Sequence, residues 1–151
     1  MRILLINSNR YHSPWPVMPL GLCSVAAALE EAGHEVRVLD LCFSSNPAKD
    51  LEREVSDLKP HMAGIGIRNI DNCVGAESRL MLGDVRAKVV EPLRLAFAGP
   101  IVLGGCALGI SGRRILDAMG LDHAIRGDGE EAAVEFARQV NEGRKIGRAH
   151  V

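Results

Sequence analysis

Aromatic residues are scarce in this chain: 3% of 151 residues, with one tryptophan and one tyrosine. So few rings imply an aliphatic core and remove the stacking platforms on which single-stranded nucleic acids lie. An excess of one charge sign is also missing. A net charge of −1 gives no long-range pull on phosphate backbones or anionic membranes, so no nucleic-acid partner is expected. No apolar run reaches the length of a membrane span, and Met1-Arg2 leads straight into a strand pattern, which speaks against a signal peptide and for the cytoplasm. The cysteines, Cys23, Cys42, Cys73 and Cys106, are separated by 19, 31 and 33 residues. Without a CxxC or similar cluster, neither a disulfide framework nor a zinc or iron-sulfur site is expected within these residues.

Other absences narrow the function. No glycine stands between Asn7 and Gly21, so the phosphate cradle of a dinucleotide fold is missing after the first strand. The acidic cluster and late lysine of a phosphorelay receiver are absent, as is the Ser/Thr-rich loop of a flavin mononucleotide site. His12, His61, His123 and His150 are scattered, and no nucleophile, base and orienter come together, so no catalytic residue is assigned.

What is present is an alternation of strand and helix patterns. Arg2 to Ile6 reads as a buried strand, ended by Asn7-Ser8-Asn9. A loop with three prolines and Tyr11, His12 and Trp15 runs to Pro19, long for an α/β connection and shaped like a functional surface. Leu22, Val25, Ala26 and Leu29 form a helical stripe stopped by Gly33. His34 to Leu41 suits an outer strand, with His34 as a solvated turn residue and Asp40 as a turn residue. Asn46-Pro47 opens a second helix. Ala63 to Ile67 is a fully buried strand whose Gly64 and Gly66 share one face, leaving a flat spot for a helix or a flat ligand. After a long connection from Asn72, Val85, Val89, Leu93 and Phe97 continue a helical stripe that Pro92 should kink or restart. Pro100 to Leu103 is a fourth strand, Ser111 caps a short helix, Asp122 to Arg126 is a weak fifth strand, and a last helix ends at Gly143. Five strands alternating with helices predict an α/β, doubly wound (Rossmann/flavodoxin-like) parallel sheet of order 2-1-3-4-5, helices on both faces. Residues 1–143 form this domain; 144–151 read as a tail or the start of a linker.

In such sheets ligands collect at the carboxyl ends of the strands. Three open strand ends fall there: Gly66 leading to Arg68, Asn69 and Asp71; Gly104-Gly105-Cys106-Ala107; and Gly127-Asp128-Gly129-Glu130. Together they leave room for a broad flat ligand across several strands.

These segments carry a resemblance. Arg2 to Asn7, Pro19-Leu20-Gly21-Leu22, Gly33-His34-Glu35-Val36, Gly64 to Asn72, Ile101 to Gly105 and Arg126 to Glu130 resemble, in that order, the N-terminal cobalamin-binding domain of the B12-binding radical SAM enzymes. The resemblance implies a corrinoid across the carboxyl edge, its nucleotide tail passing into the fold. The residues it would touch are Asn7, Tyr11, Trp15, Pro19 and Gly21 from the first loop and helix start, with the three strand ends above. A bulky residue at Gly105 is expected to intrude on it.

Two departures shape the expectation. Where related cobalamin domains carry Asp-x-His-x-x-Gly, this chain has Pro16 and Met18 before Gly21, so no protein histidine is expected under the cobalt. The Ser-x-Leu that follows the third strand in that superfamily is not preserved near Gly66. The CxxxCxxC that holds a [4Fe-4S] cluster is absent as well. The cluster and S-adenosylmethionine are therefore expected only in a radical SAM domain beyond residue 151, with methyl transfer or radical chemistry done there. Two alternatives stand beside this reading: a nucleotide or nucleotide-sugar binding half of a two-domain transferase, and a protein-interaction module.

Overall fold

The apolar run Ile3-Leu4-Leu5-Ile6 has no polar alternation, which suits a strand covered on both faces, and all four residues are buried in β1 (Arg2–Asn7). The computed structural model describes residues 1–72 and 79–144. Its sheet adds β2 (Glu35–Asp40), β3 (Met62–Gly66), β4 (Ile101–Gly104) and β5 (His123–Ala124), all parallel, in the order β2-β1-β3-β4-β5. That is the expected order, with β3 in the middle, beginning one residue earlier than its apolar run suggested. The register sets Asn7 beside Gly66 and Gly66 beside Gly104, so the carboxyl ends of the three inner strands align.

The helices are α1 (Leu20–Glu31), α2 (Pro47–Leu58), α3 (Leu82–Val85), α4 (Glu91–Ala96), α5 (Ala107–Met119) and α6 (Glu130–Asn141). Alternation along the strands divides the core into two layers. Ile3, Leu5, Met62 and Val102 pack with α1 and α6, whereas Leu4, Ile6, Ala63, Ile65 and Leu103 pack with α2, α4 and α5. Gly64 and Gly66 fall on the α1 side, as their spacing required.

Three local features take a definite form. The helical stripe restarts at Pro92, as expected: a wide π-helical turn, Arg86–Val90, joins α3 to α4, and the proline stands in the first turn of α4. Such a turn tolerates the missing proline N–H where a regular helix would not. α5 is two helical stretches that meet at a kink at Ser111 (φ −149°, ψ 43°), so Ser111 does open the stretch carrying Ile115, Leu116 and Met119; a helical turn from Ala107 precedes it. His34 is not simply solvated. Its ring is half-buried, with Nδ1 3.3 Å from the Met1 amine, and His61 Nδ1 accepts from the Arg2 N–H at 2.9 Å, so both brace the amino-terminal edge of the sheet.

Among the described residues no helix is long and apolar enough to cross a membrane. Cys73, His150, part of the long connection after Asn72 and the basic tail beyond Arg144 lie outside the described residues.

Candidate cofactor-binding site

A cavity of about 510 Å³ opens at the carboxyl edge of the sheet and runs down between the sheet, α1 and α6. Its rim is built by strand-end geometry. Asn7 closes β1 and donates from Nδ2 to Asp40 Oδ1 at 2.7 Å, while its own Oδ1 accepts the Asn9 N–H at 3.2 Å. Asp40 also accepts the Cys42 N–H at 2.9 Å, which caps a 3-10 turn at Leu41–Phe43. The expected turn residue thus joins the ends of β1 and β2. Ser8 Oγ donates to the Gly66 carbonyl at 2.7 Å, joining β1 to β3. Asn7, Ser8 and Asn9 are all nearly inaccessible to water, unusual for three consecutive polar residues, and their hydrogen bonds are what allows it. Asn9 Oδ1 accepts the Tyr11 N–H, leaving the Asn9 side-chain amide group on the cavity wall.

On the β4 side, Gly105 has φ +107°, and a Cβ there would lie 2.5 Å from the Ile67 carbonyl oxygen. Only glycine allows this approach. The expected steric test at Gly105 is therefore corrected: a side chain would strike the backbone after β3 and distort the rim before it reached a ligand. Gly104, by contrast, has open space where a Cβ would stand. Cys106 is exposed on the rim, with Sγ donating to the Arg68 carbonyl at 3.3 Å.

Below the rim the cavity narrows to an apolar slot. Gly64 lies in its sheet wall, where a Cβ would stand 2.8 Å from Leu5 Cδ2. Val25 and Leu29 of α1 and Ala133 of α6 face it, and Met62 and Leu29, with no surface left to water, close its floor. Gly129 keeps α6 close to α1: a Cβ there would be 2.9 Å from Val25 Cγ2.

Most of the residues singled out in the sequence meet here. Asn7, Pro19, Gly21, Gly66, Arg68, Gly104, Gly105, Cys106, Gly127, Asp128, Gly129 and Glu130 all line the cavity. The three glycine-bearing strand ends therefore share one rim. Five residues do not line it. Ala107 is buried in the opposite core layer as α5 begins, Asn69 and Asp71 lie on the connection past the rim, and Tyr11 is half-buried beside it. Trp15 is 78% exposed, so it neither lines the cavity nor plugs the end of the sheet. The sequence reading missed Asn9, Val17 and Met18 as lining residues. Asn9 had one readable sign, its place in a polar triplet directly after a buried strand.

The electrostatics of the rim are mixed. Arg68 is the cation among the lining side chains, and Asp128 and Glu130 stand at the start of α6, where acidic groups suit the positive end of the helix. That acidic helix start offers no seat for a phosphate. The start of α1 differs: its first turn holds no acidic residue, and Leu20 and Gly21 open onto the cavity. No histidine lines the cavity among the described residues.

Comparison with known proteins agrees with this architecture. A family model described as "B12 binding domain" matches residues 12–137. Tryptophan 2-C-methyltransferase of Streptomyces laurentii is 31% identical over 150 residues, covering 99% of this chain and 24% of that protein. The radical S-adenosylmethionine methyltransferase TsrM from Kitasatospora setae, solved with cobalamin and a [4Fe-4S] cluster bound, superposes with a TM-score of 0.90 at 29% identity, over 96% of this chain and 25% of that one. A pilus assembly-related protein from Burkholderia pseudomallei, at 15% identity and a TM-score of 0.58, shares the fold alone. The chain thus spans about a quarter of the length of the enzymes it matches.

Proposed function

The chain belongs to the B12-binding domain family, and from that membership we propose that it holds a cobalamin at the carboxyl edge of its sheet, for chemistry carried out by another part of a longer protein. The observation that carries this reading is the single rim shared by the Gly66, Gly104-Gly105 and Gly127-Asp128-Gly129 strand ends, continuous with the slot beside Gly64. A flat macrocycle needs the first; a nucleotide tail needs the second. The fit can be judged on the backbone: Gly104 and Gly127 leave open space at the rim, whereas at Gly64 and Gly129 the walls of the slot, Leu5 and Val25, already stand where a Cβ would go.

When bound, cobalamin supplies methyl-carrier or radical chemistry. The residues of this chain bind and orient it. Asn9 offers an amide donor, Arg68 a charge at the rim, and Gly21 at the start of α1 a backbone N–H suited to the phosphate of the tail, the Leu20 N–H being held by the Met18 carbonyl at 2.9 Å. No histidine lines the cavity among the described residues, and the reading is of cobalamin held without a protein histidine ligand.

The two solved or curated methyltransferases support a wider proposal for the full protein: a radical SAM domain following this one, with the [4Fe-4S] cluster and S-adenosylmethionine. Cys23, Cys42 and Cys106 are free thiols, which supports a reducing compartment such as the cytoplasm. The test is gel filtration of the purified chain with hydroxocobalamin. Corrinoid absorbance travelling with the protein is expected, and free passage of the colour overturns the reading.

A further inference from the structure

The slot is walled by hydrocarbon throughout. Leu5, Met62 and Val102 come from the sheet, Val25 and Leu29 from α1, Ala133 from α6. The backbone there offers no free hydrogen-bonding group either, because β1, β3 and β4 are each paired on both sides and the two helices bond internally. All the polar side chains of the cavity, such as Asn7, Asn9 and Arg68, stand at the rim.

We infer that this slot selects the lower base of the corrinoid, accepting dimethylbenzimidazole and rejecting a purine such as adenine. The inference rests on the cobalamin reading above. Dimethylbenzimidazole lifted from the metal carries a single acceptor nitrogen, and its methyl groups suit the hydrocarbon walls of the slot. Adenine brings an amino group and further ring nitrogens, each of which leaves water for a surface that returns no partner. Leaving even one such group unpaired weakens binding roughly tenfold or more.

The experiment compares three corrinoids with the same upper ligand on the purified chain: cobalamin, its analogue with adenine as lower base, and cobinamide, which has no base. The energy of lifting each base from cobalt in free solution is read from acid titrations and subtracted. The expected result is at least a tenfold preference for cobalamin over the adenine analogue after that correction, with cobinamide also weaker than cobalamin. A polar group in the slot, Met62→Gln or the near-isosteric Val102→Thr, should narrow the ratio. The change in that ratio from parent to variant needs no correction, because the same two ligands, with the same solution properties, enter both ratios. Equal corrected affinities, cobinamide binding as well as cobalamin, or a ratio unmoved in both variants overturns slot selection while leaving the corrinoid reading intact. Retention of none of the three overturns that reading itself, and the inference with it.

Discussion

Asn7 and Asp40 close the ends of neighbouring strands on each other: the Asn7 amide donates to Asp40 Oδ1 at 2.7 Å, where the register already sets the two residues side by side. Asn7 lines the cavity and also holds the N–H of Asn9, its neighbour on the rim, with its own Oδ1. Its structural bonds therefore set it apart from Asn9, whose side-chain amide group is left on the cavity wall.

Asn7→Ala is expected to cost about 1–2 kcal/mol of stability, since a buried hydrogen bond to a charged group is lost but Asp40 is reached by water. Urea unfolding measures this. Hydroxocobalamin affinity should fall as well, because the Asn9 backbone loses its anchor. Asn9→Ala should lower affinity with a smaller change in the urea midpoint. Equal effects of the two substitutions on both readouts would contradict the division of roles.

The two rim glycines give a second test. Gly104→Leu adds a side chain where nothing stands within 4 Å, so it should fill the mouth of the cavity, lower corrinoid affinity at least tenfold and leave unfolding nearly unchanged. Gly105→Ala meets the Ile67 carbonyl oxygen at 2.5 Å with φ at +107°, and should destabilise by roughly 2–3 kcal/mol before any ligand is added. Thermal melting separates the two. A Gly104→Leu protein that binds as the parent does would mean that the corrinoid does not cross β4.

How much of this was readable follows from what each residue does. The strand order, the pairing of Gly64 with Gly66 on one face and the three open strand ends follow from apolar runs and glycine placement, because a parallel sheet leaves such runs few alternatives. The slot did not. Leu22, Val25 and Leu29 form an ordinary amphipathic stripe, and a wall facing an empty slot needs the same apolar side chains as one facing a core. Trp15 misled for the opposite reason: costly residues in a proline-rich loop imply a shaped surface, but not whether it turns toward the cavity. His34 and His61 were opaque because their partners, the Met1 amine and the Arg2 N–H, are distant in sequence.

His34 sets a pH dependence. Burial first, and then the positive Met1 amine beside it, lower its pKa from the ordinary 6.5. The folded state therefore favours the neutral ring. The stabilisation is fully present above the unfolded value of 6.5 and is lost as the pH falls through the lower folded value, because the unfolded chain then binds the extra proton. Since the ring is partly open to water, the loss should be below about 1 kcal/mol. Urea midpoints at pH 7.5 and 5.5, taken for the parent and for His34→Gln, measure it. The parent should lose more than the variant on acidification; an identical loss removes His34 as the cause.

The metal's lower face gives the last prediction. His12 Nε2 contacts the Cys42 carbonyl and its ring lies 5.5 Å from Phe43, His123 packs 5.2 Å from Phe136, and His34 and His61 occupy the opposite edge of the sheet. None of the four lines the cavity. In cob(II)alamin the unpaired electron points along the axial direction, so a nitrogen ligand there splits every cobalt line of the electron paramagnetic resonance spectrum. Protein prepared with isotopically labelled histidine and loaded with cob(II)alamin should give the same spectrum as unlabelled protein, and His12→Ala should leave it unchanged. A splitting that follows the label would place an imidazole under the cobalt; if His12→Ala removed it, the loop from Asn9 to Pro19 would have to refold on loading, since His12 is held toward β2 by the Cys42 carbonyl.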